Sequence, residues 1–154
     1  MRIGYVLALL SLLPVASASA GAGNEPLSTE LRLAGLKIGD SLARVRKQLG
    51  EPERMEGQPG EHHYVLHYPG LRIEMAEPGR VLMLGSTSPR YCTSSGLCPG
   101  QPLEQARKRL GEGTLYEGDD SGKLNYDSRD GSCFLAIEPD PSRRLIHGVE
   151  FSCP

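Results

Sequence analysis

His62, His63 and His67 crowd the stretch HHYVLHY, and imidazole is the side chain that most readily ligates zinc or copper and moves protons near neutral pH. Spacing argues against one shared ion, because in an extended strand His63 and His67 stand about 13 Å apart. They read as surface residues of an open sheet face. The stretch DDSGKLNYDSRDG, residues 119 to 131, is rich in aspartate but lacks the ligand spacing and closing glutamate of an EF-hand loop, so it reads as solvated rather than calcium-binding. Glu74 and Glu138 are the carboxylates that could serve as acid and base, yet lone carboxylates on short strands are ordinarily surface charges. The chain has no GxSxG motif, and no Ser, His and acid cluster stands out. The four cysteines, Cys92, Cys98, Cys133 and Cys153, offer the remaining reactive atoms. CTSSGLC has too long a gap for a CxxC zinc knuckle and lacks a matching second half, so two structural disulfides are expected, with no metal and no cofactor. These residues describe a non-enzymatic protein.

The redox setting follows from the first twenty residues. Arg2 precedes an apolar run from Ile3 to Val15 that closes on Ala18 and Ala20, the build of a signal peptide. The run is shorter than the roughly 20 apolar residues that span a bilayer, so no membrane insertion is expected after cleavage. Residues 21 to 30 read as a flexible leader, and the chain is expected to be periplasmic or secreted. Without Arg2, 16 Lys and Arg face 19 Asp and Glu, a net charge of about −3 with neutral histidine, which gives no electrostatic footprint for nucleic acid.

The elements that must position these groups announce themselves by an echo. GDSLARVRKQLGE at 39 to 51 returns as GQPLEQARKRLGE at 100 to 112, with identity at seven of thirteen positions. Leu42, Val45 and Leu49, and again Leu103, Ala106 and Leu110, form narrow apolar stripes at helical spacing. Asp40 is placed to cap the first helix ahead of Ser41, Pro102 to open the second, and Gly50 and Gly111 to close them. The basic runs RVRKQ and RKR lie on exposed helix sides near the C-termini, where positive charge suits the helix dipole. HHYVLHY, LRIEMAE and RVLMLGS follow the first helix, and KLNYD, CFLAIE and LIHGVEFSC the second, all separated by turn residues. The expectation is an α+β fold of two tandem α-β-β-β modules, residues 31–90 and 91–154, with an antiparallel sheet and the helices packed on one face.

Strand alternation then assigns faces. Leu71, Ile73 and Met75 point inward, as do Cys133, Leu135 and Ile137 and Val149, Phe151 and Cys153. Parity puts Cys133 beside Cys153 on neighbouring strands, leaving Cys92 and Cys98 to close a small loop, with cross-module pairing as the alternative. The open face is assigned His63, His67, Arg72 and Glu74 in the first module and Phe134, Glu138, Ile146 and Glu150 in the second. A surface of mixed aromatic, apolar and charged residues suits protein recognition. The competing reading is a merely solvated antiparallel face.

LKIGDSLARVRKQLGEP followed by a β-meander resembles the repeat shared by the SmpA/OmlA outer-membrane assembly lipoproteins and the β-lactamase inhibitory proteins. The resemblance implies helices on the back of a curved sheet and a partner bound on its open face. The lipid-attachment cysteine of the assembly lipoproteins has no counterpart here. Expected, then, is an exported, soluble binding protein that recognises another protein as inhibitor, immunity protein or envelope-assembly accessory. The alternative is a periplasmic carrier of a small ligand or metal that uses the histidines and the acidic loop.

Overall fold

The computed structural model of the chain describes residues 31–115 and 122–153. The expected signal peptide and leader lie outside the described residues. In chain order the elements are α1 (Leu42–Leu49), β1 (Arg54–Glu56), β2 (His63–Tyr68), β3 (Leu71–Ala76), β4 (Arg80–Ser86), α2 (Leu103–Leu110), β5 (Leu124–Asp127), β6 (Phe134–Pro139) and β7 (Ile146–Ser152).

These elements do not form two tandem α-β-β-β modules. They form one seven-stranded antiparallel sheet in the order β1-β2-β3-β4-β7-β6-β5, with only two short helices. The first half of the chain supplies four strands and the second half three. β4 and β7 join them through the pairs Met83↔Ser152, Leu84↔Phe151, Gly85↔Glu150 and Ser86↔Val149. The physical reason is edge satisfaction: a meander that stopped at β4 would leave a row of unpaired backbone donors and acceptors in mid-molecule, and β7 supplies their partners. β1 is the strand the sequence conceals, since three residues are too few to show a period, and Arg54, Met55 and Glu56 pair with His67, Leu66 and Val65.

One inward row crosses every strand. Met55, Leu66, Ile73, Leu84, Phe151, Leu135 and Tyr126 are successive cross-strand neighbours. All but the partly buried Met55 are buried, in one cluster with Val45 of α1 and Leu103, Ala106 and Leu110 of α2. Both helices therefore cover the same face of the sheet.

The echo in the sequence survives as a shared way of fastening a helix. The Gly39 N–H donates to Val81 O and the Val81 N–H to Asp40 O ahead of α1, while the Gly100 N–H donates to Ile146 O and the Ile146 N–H to Gln101 O ahead of α2. At the far ends, Tyr68 Oη donates to Gly50 O at 3.0 Å and Tyr126 Oη to Gly111 O at 3.1 Å. Gly50 and Gly111 hold φ values of 81° and 93° and return their own N–H groups to Arg46 O and Arg107 O, a closure that a side chain would strain. Capping departs from expectation by one residue. Ser41 is the N-cap of α1, its Oγ accepting from the Arg44 N–H at 3.2 Å, while Asp40 accepts from the Lys37 N–H. Pro102 occupies the corresponding cap position of α2.

Both disulfides form with the pairing that parity indicated, Cys133–Cys153 (Cα–Cα 4.1 Å) and Cys92–Cys98 (Cα–Cα 4.3 Å), and no cysteine is free among the described residues. The first ties the entrance of β6 to the exit of β7. The second closes the loop whose Thr93 and Leu97 are buried ahead of α2. Bonds of this kind persist in oxidising compartments, and they mark the chain as a disulfide-bonded protein secreted or otherwise exported from the cytoplasm. Among the described residues no helix is long and apolar enough to cross a membrane.

Candidate functional site

The face of the sheet turned away from the helices is built from the alternate residues of each strand. Register aligns them in rows. One row runs Arg54, His67, Arg72, Gly85, Glu150, Ala136, Asn125, and the next runs Glu56, Val65, Glu74, Met83, Ser152, Phe134, Asp127. The first row holds positive groups at one end, followed by the small residues Gly85 and Ala136 on either side of Glu150. The second carries three apolar side chains, Val65, Met83 and Phe134, separated by polar ones.

On β1 to β3 the charged groups satisfy one another. Arg54 pairs with Glu56, His67 Nε2 lies 3.3 Å from Glu56 Oε1 and 3.2 Å from an Arg54 guanidinium nitrogen. His63 Nε2 lies 2.7 Å from Glu74 Oε2, and Arg72 also pairs with Glu74 while contacting Met83 Sδ. The hydrogen bond from Arg54, reinforced by the positive charges of Arg54, His67 and Arg72, holds the Glu56 carboxyl below the usual carboxylate range against a smaller opposing effect of desolvation. Exposed pairs like these add little stability, but they fix the positions of long side chains across the face.

At the seam between β4 and β7 the pattern changes. Gly85, Gly148 and Ala136 leave the sheet almost bare of side chains and open a recess of about 270 Å³, walled by His67 and Arg72 on one side and by Glu138, Glu150 and Lys123 on the other. A Cβ on Gly85 would lie 3.7 Å from Glu150 Oε2, and one on Gly148 would lie 3.5 Å from Glu138 Oε2. Both carboxylates therefore lean over the glycine floor. Neither has an ion pair or side-chain hydrogen bond with any other described residue. Their strand partners are Gly148 for Glu138 and Ala136 for Glu150, which makes them diagonal neighbours across β6 and β7.

No family model matches the chain, and no curated protein matches it. Solved structures do resemble it in fold. A cysteine-rich secretory protein from Staphylococcus aureus superimposes with a TM-score of 0.59 at 10% identity, over 85% of this chain and 49% of that one. An extracellular protein containing an SCP domain from Bacillus anthracis gives 0.60 at 11% identity, over 92% of this chain and 50% of that one. This chain thus spans about half the length of either protein, and at such identities the likeness is one of fold alone. A DUF4309 family protein from Bacillus subtilis gives a TM-score of 0.49 at 15% identity.

Of the residues assigned to the open face, His63, His67, Arg72, Glu74, Phe134, Glu138 and Glu150 are on it. Ile146 is not: it is 1% exposed and belongs to the core. The register slips between Glu138 and Pro139, where Glu138 pairs with Gly148 but Pro139 with Ile146, so His147 is an extra residue that reverses the parity before it. Glu74 and Glu138 stand on β3 and β6 with two strands between them, about 14 Å apart laterally, too far to act on one bond as acid and base. Among the described residues no three His, Cys, Asp or Glu side chains gather as a metal site. The small-residue floor went unread in the sequence, although glycine inside the strand patterns RVLMLGS and LIHGVEFSC is the signal for a close approach.

Proposed function

We propose that this is an exported, non-enzymatic binding protein that recognises another protein through the open face of its sheet, as an inhibitor, immunity protein or envelope-assembly accessory. One observation carries the reading: both helices pack on one face of a continuous seven-stranded sheet, while the other presents the partly exposed Met83 and Phe134 beside an ordered lattice of charge. Apolar side chains within a fixed polar surround are the makings of a protein interface. The secretory and extracellular descriptions of the two structural neighbours agree with export, and the periplasm is the compartment proposed. The recess itself, about 270 Å³ in an open wall, is smaller than the 300–1,000 Å³ that typically encloses a whole small ligand and is better matched to a single side chain of a protein partner.

The test is affinity capture of envelope and extracellular proteins on the oxidised chain, with Phe134→Ala and Arg72→Ala combined on one control and Arg44→Ala and Lys47→Ala on another. The reading expects one partner, lost with the sheet-face control and kept with the helix-face control. A partner that follows the helix-face control instead overturns it.

A further inference from the structure

We infer that the recess at the β4–β7 seam receives a basic side chain, a lysine or arginine presented by the protein partner, which enters between Glu138 and Glu150. The inference rests on the reading of the open face as a recognition surface and adds the chemistry of the group at its centre. Charge on this face is unevenly satisfied. Arg54, Glu56, His63, His67, Arg72 and Glu74 are mutually engaged, whereas Glu138 and Glu150 have no partner among the described residues.

Geometry selects a cation as the missing group. A carboxylate only accepts hydrogen bonds, and an ammonium or guanidinium only donates them. As diagonal neighbours on antiparallel strands, Glu138 and Glu150 have backbones about 7–8 Å apart, and both side chains fold inward over glycine. That spacing leaves room for one guanidinium or ammonium between two acceptors. An acidic group would meet both carboxylates directly, while Arg72, which could attract it, is already held by Glu74. Lys123 also lines the recess and has interactions of its own. Both glutamates are partly shielded, where a charge-assisted contact is worth more than at a fully exposed site.

The inference is tested by titrating the isotope-labelled, oxidised chain with three capped tripeptides, Gly-Arg-Gly, Gly-Lys-Gly and Gly-Glu-Gly, at low salt, following backbone amide resonances. The arginine and lysine peptides should give saturable shifts centred on Gly85, Ala136, Gly148 and Glu150, with a Kd on the order of 1 mM for so small a contact. Glu138→Gln with Glu150→Gln should weaken them about tenfold without changing resonances elsewhere. No saturation, an equal response to the glutamate peptide, or shifts centred away from the recess overturns the inference. With a captured partner the two ideas separate: loss on the Phe134 and Arg72 substitutions but full binding by the Glu138 and Glu150 variant removes the basic side chain and leaves the sheet-face reading standing.

Discussion

Two residues hold the corners of the sheet by means that pH can interrogate. Burial pushes the Tyr126 phenol up to about 12, and its hydroxyl donates to the Gly111 carbonyl at the end of α2. A folded-state value above the ordinary 10.0 means that the fold favours the neutral phenol. Its contribution is complete below pH 10 and is lost as pH rises through about 12. Tyr126→Phe should cost about 1 kcal/mol at neutral pH and flatten the alkaline limb of the stability curve, both read from urea midpoints against pH. Asp140 works in the opposite sense. Its carboxylate accepts from Ser142 Oγ and from the N–H groups of Leu145 and Arg144, and these bonds, the one from Ser142 foremost, hold it down at about 2 against an ordinary 3.8. The stability it lends the β6–β7 turn is present above pH 3.8 and lost as pH falls through about 2. Asp140→Ala should remove that acid limb and speed hydrogen exchange at the Arg144 and Leu145 amides, and unchanged exchange there would show that the turn is held by other means.

Elements differ in what ties them down, and the two disulfides make the difference measurable. Cys133–Cys153 spans a sequence separation of 20, Cys92–Cys98 one of 6. Loop-closure entropy assigns about 3 kcal/mol to the first and about 1 kcal/mol less to the second. Paired Cys→Ala substitutions should therefore lower unfolding free energy by about 3 and about 2 kcal/mol, and an equal loss would show that strain or unfolded-state structure dominates. Much at this scale was legible in the sequence. Both helices stood out because apolar spacing, a capping position and a terminal glycine agreed, and β2, β3, β4, β6 and β7 because alternation continues over six or seven residues. β1 was not legible, since Arg54–Glu56 is three residues long and its reason to be a strand lies in β2. Ile146 was misplaced for a related reason: a one-residue slip reverses every side chain before it, and only the partner strand determines where the slip falls.

The molecule as a whole is decided at the β4–β7 seam, which parity within a strand does not reveal because it is a choice between edges far apart in sequence. Phe151 stands at that seam, 1% exposed and flanked in register by Leu84 and Leu135. Its replacement by alanine should cost about 3–5 kcal/mol, with both halves of the sheet unfolding in one transition by urea titration. On the opposite face the same seam is floored by Gly85 and Gly148, which weaken a sheet by leaving it without side chains to pack. Retaining glycine there makes sense if the space itself is used. Gly85 has ordinary room for a Cβ, its closest contact being Glu150 Oε2 at 3.7 Å, so Gly85→Ala should be accommodated and should raise stability by about 0.5–1 kcal/mol. The added methyl would stand in the recess beside the Glu150 carboxylate, where it obstructs an incoming cation. Urea unfolding and titration with the arginine tripeptide together decide the matter. A more stable protein that binds the peptide about tenfold more weakly makes the seam a place where stability has been given up for recognition, whereas a more stable protein with undiminished binding would locate recognition elsewhere on the face.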